Sequence, residues 1–322
     1  MRSHELLERE FAEFVGTDHA VAVNTGTAAL HLALVALGIG KGDEVIVPEF
    51  TMAACAFAVL YTGATPVYVD CAGDLNVDPS LVEAAVTPRT RAIMPVHVYG
   101  RPCDMVAIGD VAKRHGLHVV EDASEAHGAT VGGMKVGAIG TVGCFSLYRN
   151  KIVHAEEGGI VTTNDAALAA RMRDLKNMAF GDRHDYQHGG VGFNYRMTDG
   201  QAELARESLR NVHENLRRRE AVTVWYDDAF GKHAIPRPEG SVTWMYDFVL
   251  GAAAQEKVVR AVPGARHFFK PMSGQPFAGG LERTSLRAYA YSREGVYLPV
   301  REDMDREEVD LICRAVNKAA RE

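Results

Sequence analysis

Residues 117–151, LHVVEDASEAHGATVGGMKVGAIGTVGCFSLYRNK, decide the architecture. Two short apolar runs, Leu117–Val120 and Gly143–Leu147, each give way to residues that chemistry can use. The first ends in Glu121-Asp122 and the second leads, a few residues on, to Asn150-Lys151. Working outward, similar runs recur at Val21–Val23, Glu44–Val47, Pro66–Val69, Arg91–Val96 and Gly159–Thr162. Helical patterns lie between several of them, at Thr27–Leu37, Met52–Tyr61, Leu81–Val86 and Met105–His115. Strands separated by helices predict βαβ units and a mainly parallel sheet covered on both faces. Ligands of such sheets collect at the carboxyl ends of the strands, so the loops there are the place to look for a site.

Beyond Gly159–Thr162, a helix capped by Asn164 or Asp165 is expected to run to about Asn177. A polar loop, Gly181–Gly192, follows, and then one long helix over Asp199–Arg219 with Leu204, Leu209 and Leu216 on one side. Past it the texture changes to short strands such as Trp244–Leu250 and a terminal helix near Arg306–Ala320, a smaller α+β domain. The boundary is set near residue 210, giving domains 1–210 and 211–322. At 322 residues the chain is long enough for this division.

A net charge of −7 argues against a general nucleic-acid or membrane-surface binder. No stretch approaches the roughly 18 consecutive apolar residues of a membrane span. The first residues, Met1-Arg2-Ser3-His4-Glu5, lack an apolar leader core, and the five cysteines form no CxxC pair. Together these predict a cytoplasmic protein without a metal site.

At the strand ends, Thr25-Gly26-Thr27-Ala28 turns a strand into a helix, and N–H groups there with the Thr27 hydroxyl make a ready phosphate site. A plain strand-to-helix turn would look the same, so the signal needs company. Asp122 leaves a buried strand, which costs desolvation unless it is paired: a protonated pyridine nitrogen is a suitable partner, and a helix N-cap is the plainer reading. Lys151 can reach the same crevice, where a desolvated, positively biased pocket suits Schiff-base chemistry, although without this company it would read as a solvated loop lysine; Ser146 could add a phosphate hydrogen bond. Gly192-Phe193-Asn194-Tyr195-Arg196-Met197 adds an aromatic and cationic cluster.

In this order the motifs resemble those of the DegT/DnrJ/EryC1/StrS sugar aminotransferases, pyridoxal phosphate (PLP) enzymes of fold type I. The resemblance runs from Glu10-Phe11-Ala12 to Tyr297-Leu298-Pro299. It includes Gly42-Asp43-Glu44-Val45-Ile46-Val47-Pro48, Pro95-Val96-His97-Val98-Tyr99-Gly100 and Cys144-Phe145-Ser146. It implies an α/β large domain with a mainly parallel seven-stranded sheet and a smaller α+β C-terminal domain. Carried over by position, Lys151 falls on the lysine that forms the Schiff base with PLP and shuttles the proton. Asp122 falls on the partner of the pyridine nitrogen. Gly26, Thr27, Ala28 and Ser146 fall on the phosphate cradle, and Asn194 on an asparagine that the neighbouring subunit lends to it. A homodimer with shared active sites is then the functional unit. Met52 stands where the family usually stacks an aromatic ring on the cofactor. Glu125 stands beside the cofactor's phenolic oxygen, where Gln or His is frequent.

Glu125, Asn150-Lys151-Ile152 and Gly192-Phe193-Asn194-Tyr195-Arg196-Met197-Thr198 are most similar to members acting on a GDP-linked sugar. The resemblance therefore implies transfer of an amino group from L-glutamate to C4 of a nucleotide-linked 4-keto-6-deoxysugar. Arg196, with His188 and Tyr195, is assigned to the substrate. His154-Ala155-Glu156 departs from the family's small approach to Glu157, and the chain is shorter than typical members between about Arg219 and Lys270. Two rival readings remain. A PLP-dependent sugar dehydratase usually has His in place of the lysine, so Lys151 argues against it. A non-catalytic PLP-binding regulator or scaffold would tolerate Glu156 and the shortened small domain.

Overall fold

The computed structural model describes residues 2–181, 186–280 and 286–322, so residues 182–185 of the loop expected at Gly181–Gly192 lie outside the described residues. The strands of the large part are β1 His19–Val23, β2 Glu44–Pro48, β3 Thr65–Val69, β4 Thr90–Ile93 and β5 His118–Asp122. A separate hairpin of β6 Thr130–Val131 and β7 Met134–Lys135 precedes β8 Val142–Ser146 and β9 Gly159–Thr163. Seven of these form one sheet in the order β1-β9-β8-β5-β4-β2-β3. From β8 to β3 every pairing is parallel, whereas β9 is antiparallel to both β1 and β8. β2 (Glu-Val-Ile-Val-Pro) is buried along its whole length, as a strand covered on both faces must be.

The helices of this part are α1 Ser3–Val15, α2 Gly26–Ala36, α3 Ala54–Tyr61, α4 Pro79–Val82, α5 Met105–His115 and α6 Ala166–Lys176. α2 is apolar on nearly every side and buries Ala28 through Leu34 and Ala36, so it occupies the interior rather than the rim. Side-chain caps fix where the helices begin. Asp104 accepts from Ala107 N, and Asp165 from Leu168 N, both at 3.0 Å.

The single helix expected over Asp199–Arg219 is two helices, α7 Asp199–Arg210 and α8 Val212–Phe230. The break is Asn211, at φ −96° and ψ 2°, whose side-chain amide donates to the Glu207 carbonyl. A short amide that hydrogen-bonds its own backbone offers the chain an alternative to the helical ladder. Leu204 lies on the exposed side of α7, while Leu209 is buried.

The remaining strands, β10 Tyr246–Val249, β11 Arg266–His267 and β12 Gly295–Leu298, make an antiparallel sheet in the order β10-β12-β11. The other helices are α9 Ala252–Ala261, α10 Arg287–Glu294 and α11 Arg306–Arg321. A second core containing Tyr226, Phe230, Phe248, Val258, Val296 and Val316 joins α8, α9 and α11 to this sheet. Trp244, Phe268 and Ala288 belong instead to the first core. Among the described residues, no helix is long and apolar enough to cross a membrane.

A buried ion pair ties the two parts together. Arg101, past β4, donates from Nη1 and Nη2 to the two oxygens of Asp247 on β10 at 2.9 and 2.7 Å. Arg101 also donates to the carbonyls of Ile235 and Pro236, and both charged side chains are 1% exposed. Removing one partner strands the other charge in the interior. Asp247→Ala is expected to lose about 3–5 kcal/mol of stability in denaturant unfolding, and an Arg101→Met/Asp247→Leu double variant much less.

Candidate active site

The chain leaves β1 through Asn24 and enters α2 at Gly26, with Thr25 as the cap. Thr25 Oγ1 accepts from Ala28 N at 3.0 Å, so the Ala28 N–H is engaged by the cap. The N–H groups of Gly26 and Thr27 lie in the first turn, where no helical acceptor exists for them. Backbone packs on backbone here. A Cβ on Gly26 would fall 2.7 Å from Ser146 Cβ, and one on Gly159 would fall 2.2 Å from the Thr25 carbonyl oxygen. The start of α2 is therefore pressed against the end of β8 and the start of β9. Ser146 Oγ accepts from Tyr148 N at 3.3 Å and keeps its own proton to donate.

Gly26, Thr27, Met52, Asp122, Glu125, Ser146 and Lys151 line one cavity of about 400 Å³. The same wall includes Thr51, Trp244, Phe269 and Tyr297, which the sequence did not single out for chemistry. Ala28, expected in the cradle, is buried and is not on the wall. Met52 is half exposed at the cavity and lacks the rigidity of an aromatic side chain.

Alternation along β5 separates two neighbouring carboxylates. Glu121 turns away from the cavity and accepts from Gly137 N, Ile139 N and Gly140 N at 2.8, 2.9 and 2.6 Å, with His97 Nε2 at 3.1 Å. Asp122 faces the cavity, accepting from Ser124 N and from the Cys55 thiol, each at 3.0 Å. Burial first, then the Asp122 charge, pushes the Cys55 thiol well above its usual pKa, so Cys55 stays protonated and serves as donor.

Glu125 Oε2 accepts from Tyr99 N at 3.0 Å, and Oε1 lies 3.4 Å from Lys151 Nζ. Tyr99 sits at φ 53°, a conformation uncommon for a bulky residue, and that turn aims its N–H at the carboxylate. Burial raises the Glu125 pKa above the usual carboxylate range, while Lys151 and the Tyr99 N–H pull it down. Lys151 follows β8 through a turn in which its N–H donates to the Tyr148 carbonyl at 2.8 Å. Its Nζ also lies 4.0 Å from the centre of the Trp244 ring.

The cluster Asn194, Tyr195 and Arg196 takes a different place. Asn194 and Arg196 line a wider groove of about 860 Å³ together with Asn24, Lys176 and Asn177. The Tyr195 hydroxyl lies 2.9 Å from His31 Nδ1, and its ring stacks on Phe193 at 4.9 Å. Arg196 Nη1 donates to Asn177 Oδ1 at 3.1 Å, and the exposed His188 lies 2.6 Å from the Met178 carbonyl. Within one chain, none of these four residues lines the Lys151 cavity.

A phosphorylated pyridine aldehyde suits the donors present. First-turn N–H groups and a serine hydroxyl match a phosphate, a buried carboxylate matches a ring nitrogen, and an amine stands ready for the aldehyde. A mainly parallel sheet with this cavity at its carboxyl edge has the architecture of a PLP-dependent aminotransferase of fold type I. The chain belongs to the DegT/DnrJ/EryC1/StrS aminotransferase family, whose model matches residues 2–317.

It is similar to GDP-perosamine synthase of Caulobacter vibrioides, at 42% identity over 97% of this chain and 88% of that enzyme. It is also 39% identical to dTDP-3-amino-3,4,6-trideoxy-alpha-D-glucose transaminase of Streptomyces venezuelae, over 98% of this chain and 86% of the relative. Among solved structures, S. venezuelae DesV in complex with a ketimine intermediate superposes with a TM-score of 0.93 at 37% identity, covering 100% of this chain and 90% of that one.

Gly26→Ala, which drives a methyl group into Ser146, is expected to weaken PLP binding at least about tenfold, equivalent to ~1.4 kcal/mol. Absorbance titration of the cofactor-free chain measures this, with circular dichroism to verify the fold.

Proposed function

We propose that this sugar aminotransferase moves an amino group from L-glutamate to C4 of a GDP-linked 4-keto-6-deoxysugar, working in the cytoplasm as a homodimer. The 42% identity to GDP-perosamine synthase over nearly the whole chain carries the choice of sugar. The placement of Lys151 between Glu125 and Trp244 supports the chemistry.

When bound, PLP supplies an aldehyde that takes up the amino group and a cationic ring that withdraws electrons. The first turn of α2 and Ser146 hold its phosphate, and Asp122 keeps a proton on the ring nitrogen. Lys151 Nζ takes the proton from the α-carbon of glutamate and, in the second half-reaction, delivers one to the sugar carbon. Glu125 steadies the lysine while it carries that proton. Trp244, Phe269 and Tyr297 wall the cavity and exclude water from the amine. Residues 1–210 supply the cofactor face in this reading, and residues 211–322 supply the aromatic wall. Asn194 and Arg196, off this chain's own cavity, serve the partner's, with Arg196 and His188 meeting anionic groups of the substrate. Tyr195, engaged with His31 and Phe193, braces that loop rather than touching substrate.

Lys151 argues against the dehydratase reading, and the scaffold reading has only Glu156 and the shortened small domain behind it. With L-glutamate and GDP-4-keto-6-deoxymannose, mass spectrometry is expected to show the amino sugar and 2-oxoglutarate. Borohydride should fix the visible band at Lys151, and Lys151→Ala should lose that band and slow transfer by ~10³-fold or more. Loss of water from the sugar would support the dehydratase instead. Absence of chemistry with any ketosugar would support the scaffold.

A further inference from the structure

Trp244 leads into β10 and is 4% exposed, yet it lines the Lys151 cavity. Lys151 Nζ lies 4.0 Å from the centre of its ring, well inside the range over which a π face attracts a cation. Trp244 is held through both its indole and its backbone. Its Nε1–H donates to the carbonyl of Asn150, the residue before the lysine, at 2.8 Å. Its own carbonyl accepts from Arg219 Nη1 at 2.9 Å, and Arg219 is fixed in turn by the Val300 carbonyl and Glu302. The rings of Tyr99 and Tyr297 flank it at 5.8 and 6.2 Å.

We propose that Trp244 is a positioning residue which, together with Glu125, holds the charged form of Lys151 against the cavity wall whenever the lysine is free of the cofactor. This rests on Lys151 being the cofactor lysine. A π face favours an ammonium over a neutral amine, whereas an aliphatic side chain in the same place would desolvate the charge and return nothing. A lysine that has just taken a proton from substrate therefore keeps it beside the reacting carbon. The Nε1–H bond to Asn150 holds the loop that carries the amine. Other titratable groups on the same wall are Asp122, Glu157, Tyr148 and Tyr297. His127 lies nearby, with its pKa lowered to about 3 by burial and then by Lys151, so it stays neutral. All of these are common to wild type and Trp244 variants, so a difference between them reads the indole.

The test is the rate at which the visible imine band appears when PLP is added to the full, cofactor-free chain, followed from neutral to alkaline pH. The rate depends on the neutral amine, so its midpoint reports the charge on the lysine. Trp244→Leu is expected to move the midpoint to lower pH by about half to one unit, with Trp244→Phe moving it less and Glu125→Gln moving it in the same direction. An unchanged or higher midpoint in Trp244→Leu, at wild-type melting temperature, overturns the proposal. Should Trp244→Leu not fold, Trp244→Phe decides: a lower midpoint supports the role and an unchanged one overturns it. A normal imine band in Lys151→Ala would instead overturn the assignment of the lysine, which is a separate failure.

Discussion

The active site depends on one close approach of backbone to backbone. Where α2 begins, Gly26 lies against Ser146 at the end of β8, and Gly159 at the start of β9 lies against the Thr25 carbonyl. Any side chain at either position would pry the helix away from the sheet. Because β8 runs on toward Lys151, that approach sets how far the anion-binding turn can stand from the amine. The antiparallel insertion of β9 between β1 and β8 makes the approach possible, since it brings the start of one strand beside the end of the other.

A second junction joins the smaller part to this frame. Tyr99 gives its N–H to Glu125, and Arg101 grips Asp247. Between them, Gly100 is packed so tightly on the segment before Trp244 that a Cβ would fall 2.0 Å from the Val242 carbonyl oxygen. One three-residue stretch thus orients the carboxylate beside the lysine, fastens β10, and meets the segment that carries the indole. The left-handed turn at Tyr99 is the local strain that buys this arrangement.

Much of the architecture was legible because strands buried on both faces leave uninterrupted apolar runs, and the chemistry sits where those runs stop. Lys151, Asp122, Ser146 and Gly26 were found in that way, and Met52 and Glu125 by resemblance. Trp244 was hidden inside a segment that reads as an ordinary strand. Cys55 lay within a helical pattern that gave no hint of its bond to Asp122, and Thr51 stood just before that pattern. Only tertiary packing joins such residues to the site. The pleat of β5 sends Asp122 to the cavity and its neighbour Glu121 to a ring of N–H groups. The break at Asn211 was missed because apolar spacing continues through it, and local side-chain hydrogen bonding, not periodicity, ends α7 there.

The indole beside the lysine has a practical consequence. The chain has two tryptophans, and Trp225 packs at the edge of the second core, away from the cavity wall. Of the two, Trp244 stands against the amine, on the wall of the cavity. The protein therefore carries its own optical gauge: its ultraviolet emission will change as the crevice fills and empties, with no label attached.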